Sequence, residues 1–87
     1  MAPDTDFYIR TQYDGKDLMS VQEIYYIDED GDEHISEQAT KICVGINSCG
    51  DQGTDLWSWL RETVELRLKG EGVLFQDLFF EDERGNQ

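Results

Sequence analysis

The chain has 87 residues, 38% hydrophobic and 11% aromatic, which sizes it as one domain near the lower limit of what a single core holds together. Twenty Asp and Glu stand against seven Lys and Arg, for a formal net charge of −13. This balance argues against direct nucleic-acid binding and against an anionic membrane surface, since each repels it, and the aromatic content argues against a disordered acidic tail.

The charge has a useful scale. A compact chain of this length has a radius of gyration of roughly 12 Å and hence a diameter of about 30 Å. Duplex DNA of the same length carries about 18 phosphates, at one charge per ~1.7 Å of axis. The protein therefore approaches the charge content of a DNA segment its own size, and its field attracts basic surfaces.

The opening MAPDTDFYIR has neither a basic stretch nor an apolar run of the secretory kind. No segment approaches the ~20 apolar residues that span a bilayer. The expected location is the cytoplasm, where Cys43 and Cys49 stay reduced. Residues 1–5 and 84–87 are expected to fray around a single domain covering 1–87.

Phe7 to Tyr13 alternates, with Phe7, Ile9, Thr11 and Tyr13 on one face and Tyr8, Arg10 and Gln12 on the other. Asp14-Gly15 then reads as a two-residue hairpin turn. Leu18 to Ile27 is a second extended run rich in β-formers, with Val21, Tyr25 and Ile27 opposite Ile24 and Tyr26. Asp30-Gly31 turns the chain into a short strand ending at Ile35. Ser36 is a natural helix N-cap, with Glu37 in the first turn where the helix dipole favours a carboxylate. Ala39, Ile42, Cys43 and Ile46 form the amphipathic stripe behind it.

Asn47, Ser48, Gly50 and Gly53 mark a loop. Thr54, with Asp55 behind it, caps a second helix whose buried face is Leu56, Trp57, Leu60, Val64 and Leu68; Trp59 lies off that stripe. Arg61 with Glu65 and Glu65 with Lys69 are i,i+4 pairs, and Gly70 suits the C′ position. Val73 to Phe80 reads as a last strand. The order predicts an α+β fold: a small antiparallel sheet, N-terminal meander plus C-terminal strand, with two helices on one face. Trp57, Trp59, Phe75, Phe79 and Phe80 are the expected bulk of the core.

Chemical motifs fail on inspection. Asp28, Asp30 and Asp32 have the spacing of the first three ligands of an EF-hand loop. Position 6, however, is Glu33 rather than Gly, position 12 is Ala39 rather than Glu, and the preceding segment reads as strand. Cys43 and Cys49 are too far apart for a zinc knuckle, and His34 is the sole histidine. A Cys–His pair has no identifiable orienting group, and no glycine-rich phosphate loop is present. The expectation is a non-enzyme with no cofactor and no metal.

The acids cluster instead. Asp28-Glu29-Asp30-Gly31-Asp32-Glu33 is acidic at every place but the glycine; Asp14 with Asp17 and Glu81-Asp82-Glu83 form two further groups. Basic residues gather on the second helix, at Arg61, Arg67 and Lys69. Clusters of this kind suit a surface that presents carboxylates where a nucleic-acid-binding partner expects phosphates. An immunity protein that neutralises a basic nuclease toxin uses the same physics. A halophilic accessory domain would spread its acids evenly. Tyr8, Tyr25 and Tyr26 are expected to face solvent, and tyrosines beside carboxylates suit an arginine-rich partner through cation–π contact and charge-assisted hydrogen bonds.

The segment Gln22-x-Ile24, Asp30-Gly31-x-Glu33, Ile35-Ser36-Glu37 resembles the strand, turn, strand and helix start of small acidic phage-encoded anti-CRISPR proteins, including those that occupy the site where a Cas nuclease reads its target-adjacent DNA motif. The resemblance implies an inhibitor seated in a basic DNA- or RNA-binding channel, with Asp28, Glu29, Asp30, Asp32 and Glu33 meeting arginine and lysine. The expected partner is thus a basic nucleic-acid-binding protein, a Cas effector or another defence nuclease. The candidate contact set is Asp14, Asp17, Tyr25, Tyr26, Asp28, Glu29, Asp30, Asp32, Glu33, Glu37, Glu81, Asp82 and Glu83. Oligomeric state is left open.

Overall fold

The computed structural model describes residues 5–49 and 55–84. Strand β1 (Phe7–Tyr13) pairs antiparallel with β2 (Met19–Ile27), which pairs antiparallel with β3 (Glu33–Ile35). Helix α1 (Glu37–Cys43), strand β4 (Asn47–Ser48), helix α2 (Leu56–Gly70), strand β5 (Leu78–Phe80) and the single turn α3 (Glu81–Arg84) follow. The sheet order is β3-β2-β1-β5, with β4 also on β2. The fold is α+β, and the sheet is mixed rather than purely antiparallel because β5 runs parallel to β1, Phe7 beside Leu78 and Ile9 beside Phe80.

The alternation of β1 places Phe7 and Ile9 in the core, both fully buried. In β2 the alternation breaks. Arg10 pairs with Glu23 but Thr11 with Val21, so Gln22 is an extra residue, a β-bulge. Because a one-residue slip moves side chains to the other face, Met19 and Val21 share the core face with Ile24, while Tyr25 points away from it. The expected grouping of Val21 with Tyr25 is therefore corrected.

α1 and α2 cover the core face. Ala39 and Cys43 from α1 and Leu60, Val64 and Leu68 from α2 close over Phe7, Ile9, Ile24 and Phe80. Trp57, Trp59 and Phe75 pack partly buried at its margin, but Phe79 lies on the far side of the sheet, against Tyr8. Each fully buried aliphatic or aromatic side chain contributes about 1.5–3 kcal/mol relative to exposure.

Local chemistry explains most boundaries. Ser36 caps α1 by accepting the Ala39 N–H on Oγ. Asp55 caps α2 by accepting the Trp57 N–H; Thr54, Gly50 and Gly53 lie outside the described residues. Asn47 and Ser48, expected in a loop, pair with Ser20 and Met19. Gly70 is still helical, and the left-handed residue that ends α2 is Gly72, at φ +77°. Val73 to Asp77 are not strand: Val73 folds back to donate to the Leu68 carbonyl, and only Leu78–Phe80 reaches the ladder. Thr5 accepts the Gln76 N–H, and Arg84 closes α3.

One edge of β2 is shared. β3 covers its C-terminal part and β4 its N-terminal part. In the gap, Thr40 of α1 accepts the Ile24 N–H and donates to the Ile24 carbonyl through one hydroxyl. The Ser36 N–H also reaches that carbonyl, and the Val21 N–H reaches the Ile46 carbonyl.

Candidate functional site: the open sheet face and the acidic hairpin

The sheet face away from the helices carries Tyr8, Arg10, Glu23, Tyr25, Glu33 and Phe79. Tyr8 stacks on Tyr25 on one side and on Phe79 on the other, with ring centroids 5.5 and 5.7 Å apart. Arg10 lies over the Tyr25 ring, its guanidinium carbon 4.7 Å from the centroid. Three glutamates converge on that guanidinium: Glu23 at 2.5 Å, Glu81 at 2.6 Å and Glu33 at 3.1 Å. The Tyr25 hydroxyl donates to Glu81 as well, at 3.1 Å.

The electrostatics follow from this convergence. The Arg10 guanidinium holds the Glu81 carboxyl below the usual carboxylate range, against the opposing effect of partial burial. Arg10 is in turn pushed up, first by its bond to Glu81 and then by those to Glu23 and Glu33.

The strip of sheet is joined to the hairpin through Glu33. Residues Asp28 to Asp32 form the loop between β2 and β3, flanked by strand on both sides. Asp28 organises it: Oδ1 accepts the N–H groups of Asp30 and Asp32, and Oδ2 lies 2.6 Å from His34 Nε2. These contacts, His34 foremost, lower the Asp28 pKa. His34 also stacks on Tyr26. Carboxylate oxygens of Asp28, Asp30 and Asp32 come within 4.8 Å of one another, but both Asp28 oxygens already serve the loop.

The loop after β1 repeats the device at the other end of the sheet. It runs over Asp14 to Leu18, five residues rather than the two expected, because Asp14 Oδ1 accepts the N–H groups of Lys16, Asp17 and Leu18. Those bonds lower the Asp14 pKa.

The contact set read from the sequence thus divides. Glu33 and Glu81 meet at Arg10, beside the loop acids Asp28, Glu29, Asp30 and Asp32. Asp14 and Asp17 stand off by the length of β1, roughly 20 Å at ~3.3 Å per residue. Glu37 sits in the first turn of α1, and Glu83 turns to pair with Arg61 of α2; Asp82 is exposed beside it. Arg61 therefore does not pair with Glu65 as expected, whereas Glu65 does reach Lys69, at 3.8 Å. Tyr25, expected to face solvent, is fully buried under its neighbours, and Tyr26 is partly buried.

Arg10, Glu23 and Phe79 were missed as members of the site. A single cation two residues after Tyr8, on the solvent side of β1, was the available signal for Arg10.

A groove of about 720 Å³ opens where β1 begins and β2 ends, lined by Thr5, Asp6, Tyr8, Tyr26, Ile27, Asp28, Glu29 and Asp30. Asp6 Oδ1 is shielded from solvent there and receives no hydrogen bond.

Comparison with family models, curated proteins and solved structures gives no match. No described helix is long and apolar enough to cross a membrane. Cys43 is buried and free, its thiol pushed up to about 11 by burial; Cys49 is free and exposed.

Proposed function

We propose that this chain is a stoichiometric inhibitor that binds a basic nucleic-acid-binding protein and occupies its DNA or RNA site, with a phage anti-defence role against a Cas effector or related nuclease as the favoured instance. The observation that carries the reading is the sheet-end hairpin: Glu29, Asp30 and Asp32 are exposed, and none of the three takes part in an ion pair among the described residues. Their loop is held by Asp28, through the Asp30 and Asp32 amides and His34, so the three acids are presented in a defined loop. A radius of gyration of 12.7 Å keeps the net charge of −13 within the dimensions of a short duplex.

The mechanism is electrostatic steering followed by a few specific contacts. Steering is removed first by salt, since the screening length is about 8 Å at physiological ionic strength. An evenly acidic halophilic surface would not need the aromatic strip or a rigid loop beside it.

Capture from nuclease-treated bacterial lysate at roughly 0.1 M and 0.5 M salt, read by mass spectrometry, tests the reading. The recovered protein is then titrated for binding of labelled DNA or RNA. One basic partner retained at the higher salt, whose nucleic-acid binding is lost at a one-to-one ratio, is the expected result. A diffuse set of basic proteins released at the higher salt overturns it.

A further inference from the structure

We propose that the outer face of α2 docks a second copy of this chain, helix against antiparallel helix about a two-fold axis. The inference is independent of the inhibitor reading, because it concerns α2 and neither the open sheet face nor the hairpin.

Leu60, Val64 and Leu68 are the buried residues of α2. At 3.6 residues per turn, Leu66 lies on the side opposite Val64 and Leu68. It is the most exposed large hydrophobic side chain described, at 71%. Thr63, Leu66, Arg67 and Gly70 have the i, i+3, i+4, i+7 spacing of one helix face, and with Glu71 they line a groove of about 340 Å³. The Thr63 hydroxyl donates to the Trp59 carbonyl and needs no other partner.

Gly70 is the residue the fold does not account for. It is helical, Gly72 supplies the left-handed residue that ends α2, and a Cβ at position 70 meets nothing within 4 Å. Glycine weakens a helix relative to alanine, yet here its lack of a side chain keeps the groove open. In an antiparallel pair, Leu66 of each copy lies across Gly70 of the other.

Charge selects the occupant. Between residues 61 and 71 the cations Arg61, Arg67 and Lys69 balance the acids Glu62, Glu65 and Glu71, in a chain of net charge −13. A strongly basic or acidic partner gains little from a balanced face, whereas two acidic copies approach most readily where their charge is balanced. Arg67 and Glu71 are both exposed, and neither takes part in an ion pair among the described residues. A two-fold axis makes two contacts of them, each Arg67 meeting Glu71 of the copy.

Sedimentation of the full chain over roughly 10 µM to 1 mM, the range of small, weak interfaces, is the test. The mass is expected to rise from one chain to two. Association is expected to tighten roughly three- to tenfold from about 0.05 to about 0.3 M salt, as screening relieves the overall repulsion. Leu66→Glu and Gly70→Gln, both at exposed positions, are expected to keep the circular dichroism of the wild type and to stay monomeric. Arg67→Glu or Glu71→Arg alone is expected to weaken the dimer about tenfold, and the two together to restore it to within about threefold of wild type. Glu71→Arg makes the chain less negative, so its weakening separates the local pair from overall repulsion.

A chain that remains monomeric at about 1 mM in about 0.3 M salt overturns the proposal. So does a dimer that survives both Leu66→Glu and Gly70→Gln, or one that the paired reversal fails to restore. A monomer whose captured nucleic-acid-binding partner is lost on Leu66→Glu assigns the face to that partner and overturns the second copy.

Discussion

Two acid-rich regions lie side by side on this molecule and are held by opposite means. Around Arg10, the carboxylates of Glu23, Glu33 and Glu81 are gathered by a guanidinium. In the loop from Asp28 to Asp32 the order comes from backbone N–H groups donating to one aspartate. The first region spends its charge on the fold. The second leaves Glu29, Asp30 and Asp32 exposed in a defined loop, so similar residues hold the fold in one place and, in the proposed reading, meet a partner in the other.

Removing the guanidinium breaks the contrast most severely. Arg10→Leu leaves three glutamates facing one another, and unfolding in urea is expected to show a loss of about 1–3 kcal/mol. That is below the ~3–5 kcal/mol of a fully buried broken pair, because these groups are about a third exposed and solvent screens them.

Acid titration sharpens the difference. Glu81 has a lowered pKa in the folded chain, so its contribution is present above the ordinary carboxylate value of about 4.3 and is lost as pH falls through the folded value. Wild type is expected to lose stability over that acid range, with a shallower slope in Arg10→Leu. Arg10, being raised, contributes below its unfolded pKa and brings no loss on the alkaline side within ordinary reach.

A smaller effect separates charge from geometry in the loop. Asp28→Asn keeps an Oδ1 acceptor for the Asp30 and Asp32 amides, whereas Asp28→Ala does not. Hydrogen exchange at those two amides is expected to quicken in the alanine variant and to change little in the asparagine one. The smallest effect on folding is reserved for Glu29→Gln with Asp30→Asn. Stability should stay within about 0.5 kcal/mol while association with a basic partner slows and loses salt dependence; unchanged association would remove the hairpin from the interface.

Local signals were readable and distant ones were not. β1, the short β3 and the Ser36 cap follow from alternation and side-chain chemistry within a few residues. The Gln22 bulge depends on what β1 offers across the ladder, and without it Tyr25 reads as sharing a face with Val21. The parallel seating of Leu78–Phe80 depends on β1, far earlier in the chain, so its direction has no local sign. The Arg10 cluster joins four segments, and an aspartate followed by glycine suggested a tight turn where Asp14 in fact holds a five-residue loop through three amides. The acid clusters themselves were plain in the sequence; which of them share a surface was not.

The hydroxyl of Thr40 has a consequence for how this protein behaves in a crowd. A strand flanked by two short neighbours exposes a stretch of backbone on which another chain could begin to add, the first step towards fibres or exchanged segments. One side chain from α1 occupies both the amide and the carbonyl of Ile24, so the middle of that edge offers no template. A chain with this edge closed is thereby kept from adding to a copy of itself through the sheet.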